Sequence, residues 1–379
     1  MLRPLSKLIV FTKLAKPVDR VKRRALLRGA TALAAAAAGL AGRSAQALPL
    51  KTLQFPRDHG AHPEFRTEWW YITGHAQSGA REFGFQLTFF RSRIAGTQGL
   101  TSLFAAKQLL FAHAAITDVQ GKKLLHDQRV ARSGFGVAEA SETGLLVKLR
   151  DWQLAAQADN AARYTAALPA AGFGLDLQLS ETQPLLLQGQ NGLSRKGPDD
   201  RQASYYYSQP QLGVRGSLRV KEQTFAISSG KAWLDHEWSE EILHPSATGW
   251  DWIGMNLDDG SALTAFRLRD KNGGAVWDGG SFRAAGGSAY AFSRGEVVFK
   301  PVRSWKSPLT QATYPVEWIV QTPADFYTVR AVIDNQELDS RQSTGAIYWE
   351  GLSDLIDSNG RRVGRGYLEM TGYAEPLRM

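Results

Sequence analysis

Acid–base chemistry in an apolar environment needs side chains of the kinds found in the run Asp235-His236-Glu237-Trp238. On a β-strand, His236 and Trp238 point to one face, and the two carboxylates point to the other. A carboxylic acid in an apolar pocket keeps its proton to higher pH, aromatic faces stabilise a carbocation, and a histidine can orient water or accept its proton. These groups together suit general acid–base chemistry on an apolar molecule. The alternative interpretation is a structural network at the end of a barrel.

A second run, Glu68-Trp69-Trp70-Tyr71, places an acid beside three aromatic residues. A strand directs the two tryptophans to opposite faces, so core packing is the simpler interpretation of both. Burying Glu68 costs free energy, so we expect it either to act in the site or to pair with a base. The nearby bases are His62, Arg57 and Arg66.

Several other residues are candidates for the same site. His113 lies in the apolar run Phe111–Ile116, where an isolated histidine is usually a satisfied core residue, but within reach of Glu68 it would join the site. The remaining candidates are Asp251, as a further carboxylate, and the aromatic residues Trp250, Trp252 and Phe266.

Metal-dependent and serine-dependent hydrolysis have weaker support. His59 and His62 lie three residues apart with Asp58 and Glu64 nearby, but no HExxH helix is present. The sequence has no Gly-x-Ser-x-Gly motif, no phosphate-binding loop, no dinucleotide fingerprint and no cysteine. We therefore predict neither a metal nor a cofactor.

From Leu48 onward, hydrophobic residues alternate with a period of two, which is typical of strands. The clearest examples are Phe83–Phe89, Leu175–Leu179, Val214–Val220 and Tyr367–Tyr373, with turn signals such as Asp259-Gly260 and Asn359-Gly360 between strands. We expect Ala138–Leu149 to be strand or loop and Gln183–Ala203 to be a long loop. Many short strands with regular turns predict an all-β sandwich or barrel.

The chain also repeats itself. Trp69-Trp70-Tyr71-Ile72 matches Trp250-Asp251-Trp252-Ile253, and Gly230–Asp235 matches Gly364–Glu369. Each half thus opens with one motif and closes with the other, which predicts two barrels whose first and last strands pair. We place the boundary within Glu240–Gly249 and expect domains at 48–240 and 241–379.

The first 47 residues have the features of a signal peptide. Lys22-Arg23-Arg24 resembles a twin-arginine motif, an apolar run follows at Ala30–Leu40, and Ala45-Gln46-Ala47 offers small residues for cleavage. We therefore expect a periplasmic or otherwise extracytoplasmic protein. This segment holds ten of the 45 Lys and Arg and one of the 36 Asp and Glu, so the remainder is neutral. A nucleic-acid partner is not expected without a basic field.

These motifs together resemble the carotenoid 1,2-hydratase-like family, also called AttH-like or CrtC-like. The stretches that carry the resemblance are Phe55–Tyr71, Ala112–Asp118, Ala232–Trp238, Gly249–Trp252, Tyr348–Gly351 and Gly366–Tyr373. The resemblance implies two lipocalin-like antiparallel barrels and an active site that includes His236 and Trp238. It also implies export in many members, frequent description as secreted hydrolases, and association of some members with export-type transporters.

One departure bears on the activity. The hydratase branch of this family carries a Tyr-x-Asp motif after Trp-Asp-Trp, and the counterpart here is Phe266-Arg267-Leu268. The proton donor would then be Asp235, Glu237, Asp251 or Glu68. We therefore expect either an enzyme of the hydro-lyase type acting on an isoprenoid- or lipid-like substrate, or a non-catalytic protein that carries an apolar molecule, with a transporter or a membrane surface as partner.

Overall fold

The structure is a computed structural model, and it describes residues 47–157, 160–241 and 243–377. The predicted signal peptide, 1–47, lies outside these residues except for Ala47. The described chain is all-β, as predicted, and its only helices are two 3-10 turns, Arg57–His59 and Ala95–Thr97. No helix in this part of the chain has the length and apolar character needed to cross a bilayer.

The first sheet contains fourteen antiparallel strands. They are β1 (Thr67–Ser78), β2 (Arg81–Arg93), β3 (Gln108–Asp118), β4 (Lys123–Arg132), β5 (Ala138–Ala140), β6 (Leu146–Leu149), β7 (Trp152–Gln157), β8 (Asn160–Ala170), β9 (Phe173–Ser180), β10 (Leu186–Leu187), β11 (Leu193–Arg195), β12 (Ala203–Val220), β13 (Gln223–Ala226) and β14 (Ser229–Glu241). The order is β4-β3-β2-β1-β14-β12-β9-β8-β7-β6-β5, with β10, β11 and β13 also paired to β12. The sheet curls until β4 contacts β6, which makes it a nearly closed barrel.

The second sheet contains ten antiparallel strands. They are β15 (Ala247–Leu257), β16 (Ala262–Asp270), β17 (Ala275–Arg283), β18 (Ala289–Ala291), β19 (Val298–Lys306), β20 (Thr313–Gln321), β21 (Phe326–Ala331), β22 (Glu337–Ser340), β23 (Ala346–Ile356) and β24 (Arg362–Met370). The order is β18-β17-β16-β15-β24-β23-β21-β20-β19, with β22 paired to β23. The chain leaves the first sheet at Glu241 and enters the second at Ala247.

The opening and closing strands of each half pair, as the repeat predicted. Tyr71 of β1 lies opposite Asp235 of β14, and Trp252 of β15 lies opposite Glu369 of β24. These strands lie in the middle of their sheets, and the open seams lie between other strands. The repeat therefore places equivalent pairs at equivalent positions in the two halves.

Three of the hydrophobic clusters in the described part of the chain follow from the alternation of side chains. One lies inside the first sheet and a second inside the second sheet. The third lies between the sheets and includes Tyr71, Trp233, Trp252 and Tyr367. The four central strands β1, β14, β15 and β24 thus bury both faces, which explains their aromatic residues at consecutive positions.

The sheets approach each other closely at Gly84 of β2. A Cβ atom there would lie 2.7 Å from Tyr367 Oη and 3.0 Å from Leu352 Cβ. The segment expected to be a loop, Gln183–Ala203, contains the short strands β10 and β11 and joins both sheets through Gln188. The Gln188 side chain donates to Ser208 at 2.8 Å and accepts from Ser281 at 2.8 Å.

Candidate functional site

Strand alternation separates the candidate residues into an inner and an outer group. His236 and Trp238 point into the core of the first sheet, and Asp235 and Glu237 point toward the second sheet. In the second half, Trp250 and Trp252 face the first sheet, and Asp251 points away from it. The outer faces of the central strands therefore meet in a crevice between the two sheets.

The crevice has a volume of about 110 Å³ and a mainly aromatic wall. Its lining residues are Trp69, Tyr71, Phe90, Lys196, Tyr206, Asp235, Glu237, Leu243, Trp250, Trp252, Phe266, Leu268 and Glu369. A second cavity of about 250 Å³ shares Phe90, Trp250 and Glu369 with the crevice. A larger hollow beside β17 contains neither an aromatic ring nor a carboxylate, so the crevice is the stronger candidate for a binding site.

Asp235 is the most enclosed acid of the crevice. Its carboxyl group accepts hydrogen bonds from Tyr206 Oη at 2.6 Å, Ser208 Oγ at 2.5 Å and Trp233 Nε1 at 2.6 Å. Burial nevertheless outweighs these three donors and raises the pKa of Asp235 to about 7, with a further contribution from the nearby Glu237. Asp235 can therefore hold a proton near neutral pH.

Glu369 is the counterpart of Asp235 in the second half. Burial raises its pKa to about 8, against a hydrogen bond from the Trp250 side chain. Glu369 lies directly opposite Glu350 on β23, and burial followed by repulsion from Glu369 raises the pKa of Glu350 well above its usual value. Two carboxylates on one face of adjacent strands repel each other. Ionising both groups therefore costs free energy, and the pair retains at least one proton.

Glu237 is the acid of the crevice that forms an ion pair. Lys196 Nζ lies 2.9 Å from Glu237 Oε1, and Ser204 Oγ donates to the same oxygen. The ammonium group also lies 4.7 Å from the ring centre of Tyr206 and 4.4 Å from that of Phe266. The loop that carries Lys196 thus closes one side of the crevice with a buried positive charge.

Glu68 and His236 belong to a separate network inside the first sheet. Glu68 Oε1 lies 3.0 Å from His236 Nε2 and 2.7 Å from His62 Nδ1, and Glu68 Oε2 accepts from Arg91 Nε at 2.7 Å. These donors and the positive charges lower the pKa of Glu68 despite its complete burial. The expected pairing with His62 is therefore present, while Arg91 replaces Arg57 and Arg66 as the cationic partner.

The inner network could be mistaken for a metal centre. Glu68 Oε1, His62 Nδ1 and His236 Nε2 lie within 4.8 Å of one another. Arg91, however, already supplies a positive charge at 2.7 Å from the same carboxylate, and each of the three ligand atoms is engaged in a hydrogen bond of this network. We therefore interpret the cluster as a saturated hydrogen-bond network.

The remaining candidates lie outside the crevice. Trp70 stacks on His236 with ring centres 4.8 Å apart, and Trp238 stacks on His62 at 3.8 Å. Asp251 is fully buried on the inner side of the second sheet and pairs with Arg267 at 2.7 Å and with Arg269 at 3.0 Å.

His113 lines the second cavity and contacts residues of the second sheet instead of Glu68. Its ring nitrogens lie 2.8 Å from Tyr348 Oη and 2.8 Å from Ser343 Oγ. Burial lowers the pKa of His113 to about 3, so its imidazole is neutral at physiological pH.

Sequence reasoning did not select Glu369, Glu350, Lys196 or Tyr206. A signal for Glu369 was present, because the repeat aligns it with Asp235. Lys196 had no local signal, since it reaches the crevice from a loop far away in sequence.

The fold and the site together define a class of proteins with two antiparallel β-sheets that enclose an aromatic, carboxyl-lined crevice. A profile of the AttH-like family matches residues 46–373, and the chain belongs to this family. The solved structure of an AttH protein from Nitrosomonas europaea is 45% identical, covers 86% of this chain and 99% of its own, and superposes with a TM-score of 0.80.

Two more distant structures share the fold. Kievitone hydratase from Nectria haematococca is 14% identical over 87% of this chain and 98% of its own, with a TM-score of 0.64. CghA is 14% identical over 87% of this chain and 96% of its own, with a TM-score of 0.52. A search of curated proteins gave no match.

Proposed function

We propose that the protein binds the end of an apolar, isoprenoid- or lipid-like chain in the crevice and adds water to a C=C bond there. The observation that carries this proposal is that Asp235 and Glu369, one from each sheet, line the same aromatic crevice. Burial outweighs the hydrogen bonds that these two carboxyl groups accept, and it favours the neutral acid that protonation of an alkene needs.

In the proposed reaction, Asp235 or Glu369 donates its proton to one carbon of the double bond. The π electrons form the new C–H bond, and the other carbon becomes a carbocation that the faces of Trp69, Trp250 and Trp252 stabilise. Water then attacks the cation, and the proton that it loses returns to the carboxylate, so the acid is regenerated.

The size of the crevice favours recognition of a chain end. A volume of about 110 Å³ is smaller than the roughly 150 Å³ cavity that holds a benzene molecule, so it accommodates only a few carbon atoms. The adjoining cavity adds about 250 Å³ and could accept the next part of the chain. The name of kievitone hydratase describes water addition by a protein of this fold, which is further support for the reaction type.

The proposal is tested by incubating the protein with short acyclic isoprenoid alkenes in ¹⁸O-labelled water and measuring labelled alcohol by mass spectrometry. We expect labelled product, and its rate should fall as the pH rises through 7 to 8, because the protonated carboxyl groups are lost. Asp235→Asn or Glu369→Gln should reduce the rate by about 100-fold or more, whereas the exposed Glu222→Gln serves as the matched control. No label from any alkene that binds would exclude hydration of these substrates.

A second candidate function is carriage of an apolar molecule without chemistry. Phe266 and Leu268 favour it, because they present apolar side chains to the crevice where the hydratase branch is expected to carry an acid. In that case the alkenes bind with unchanged covalent structure, and Asp235→Asn alters affinity alone. Lipids that co-purify with the protein, identified by mass spectrometry, would then define the cargo.

A further inference from the structure

An exposed apolar surface lies at the end of the first sheet where β2 meets β3 and β4 meets β5. We call it the tip, and it consists of Leu100, Leu103, Phe104, Phe135 and Arg132. The side chains of Leu103, Phe104 and Phe135 are 86%, 74% and 59% exposed. Exposed apolar side chains that cluster in this way commonly mark an interaction surface.

The tip is organised. The rings of Phe104 and Phe135 stack with centres 5.6 Å apart, and the Arg132 guanidinium lies 4.2 Å from the Phe135 ring centre. Arg132 Nη1 also donates to the Phe104 carbonyl at 2.8 Å, which ties the two loops together. The cation is thus held beside the apolar rings.

The backbone at Phe135 is in an unfavourable conformation that exposes its ring. Phe135 has φ of +59°, and its neighbours Gly134 and Gly136 also have positive φ. A bulky residue in the left-handed region costs free energy, of order 1 kcal/mol or more, and such strain is concentrated at functional positions. Burial in the core does not explain this cost, since the ring points to solvent.

The charges of the tip select the kind of surface that it fits. Loop residues 94–107 and residues 132–138 contain Lys107 and Arg132 and no acid; Glu139 is the first acid after them. Apolar side chains with flanking cations are the composition of segments that insert at the interface of an anionic bilayer.

The tip lies near the wall of the second cavity. Ser92, which lines the second cavity, lies opposite Leu109, and Leu109 lies opposite Arg132. Two strand spacings separate Ser92 from Arg132, so the tip begins about 10 Å from the cavity wall along the sheet. A membrane at the tip would therefore be close to the crevice.

We propose that the tip docks the protein on an anionic lipid bilayer by inserting Leu103, Phe104 and Phe135 among the headgroups. The inference that the docked protein draws its ligand from that bilayer rests on the proposed function, but docking itself does not. The absence of cysteine in the chain permits a site-specific test in the full-length protein.

Leu103→Cys and, as the matched control in the turn between β19 and β20, Leu309→Cys are each labelled with an environment-sensitive fluorophore. Leu309 is also well exposed, at 61%. On mixing with phosphatidylglycerol-containing vesicles, we expect a blue shift and an emission increase of about twofold or more at position 103 only. The change should shrink at high salt or with purely zwitterionic vesicles.

An unchanged signal at position 103, or an equal change at position 309, would overturn the proposal. A change at position 103 that follows protein concentration without vesicles would also overturn it, because the occupant would then be a second copy. In the labelled Leu103→Cys background, Phe104→Asp with Phe135→Asp should weaken vesicle binding at the tip about tenfold or more. Binding of a soluble isoprenoid alkene, measured without vesicles, tests the crevice separately and should be unaffected by these two substitutions.

Discussion

The chemistry assigned to the crevice depends on the environments of individual carboxyl groups. Burial outweighs the hydrogen bonds to Asp235 and Glu369 and favours their protonated forms, while the donors and cations around Glu68 outweigh its burial and favour its ionised form. The sequence shows these acids but not which of them meet a cation. That distinction arises from Arg91 and Lys196, which are distant in sequence from Glu68 and Glu237.

The raised pKa of Asp235 makes a prediction about stability. Asp235 has a pKa of about 7 in the folded chain and 3.8 as its ordinary value, so between these pH values the folded state binds more protons than the unfolded state. The contribution of Asp235 to the free energy of unfolding therefore declines as the pH rises from 4 to 7. Relative to wild type, Asp235→Asn should gain about 2–3 kcal/mol between pH 5 and pH 8.

Urea denaturation of both proteins at a series of pH values checks this prediction. The difference between the two proteins removes the contributions of the buried histidines, which both proteins share. A difference that does not change with pH would show that Asp235 is ionised throughout this range.

His236→Ala should destabilise the fold. The substitution removes a fully buried ring that packs on Trp70 and leaves Glu68 without one of its partners. We expect a loss of about 3 kcal/mol or more in the free energy of unfolding, measured with urea. Unchanged stability together with abolished turnover would instead assign His236 a direct catalytic role.

Among the strands, the alternation of side chains predicted much of the arrangement. The period of two separates His236 from Asp235, and the structure places them on opposite faces as expected; Trp250 and Asp251 also lie on opposite faces of their strand. Alternation does not reveal what lies against each face. The packing of the two outer faces against one another, and the entry of Lys196 into the crevice between them, depend on tertiary contacts between distant segments.

The loop that carries Lys196 should depend on its ion pair. Lys196→Met retains the apolar part of the side chain but leaves the buried Glu237 carboxylate without its cation, and we expect a loss of about 3–5 kcal/mol in the free energy of unfolding. The double variant Lys196→Met with Glu237→Gln should recover most of this loss, because no buried charge remains. If the single variant is as stable as wild type, the ion pair does not hold the loop in place.

In the whole molecule, the repeated motifs predicted that the first and last strands of each half pair, and both pairings are present. The repeat also relates Asp235 to Glu369, so the two halves place these carboxyl groups at equivalent positions in the crevice. The position of the seams and the way the halves face one another were not predictable, because they depend on where large side chains can approach small ones. Gly84 against Tyr367 is such a place.

Gly84→Leu should therefore disturb the contact between the sheets. The new side chain would meet Tyr367 Oη and Leu352, and we expect the free energy of unfolding to fall by about 1–3 kcal/mol and alkene binding to weaken. Gly96→Leu is the matched control, since nothing lies within 4 Å of its added Cβ. Equal effects of the two substitutions would contradict the close approach.

A crystal structure with a bound short prenyl alcohol tests the central claim most directly. The account predicts that the chain end lies between the two sheets, against Trp69, Trp250 and Trp252, with its oxygen within hydrogen-bond distance of Asp235 or Glu369. A ligand inside the first sheet, against His236 and Glu68, would contradict the account and make the inner network the functional site.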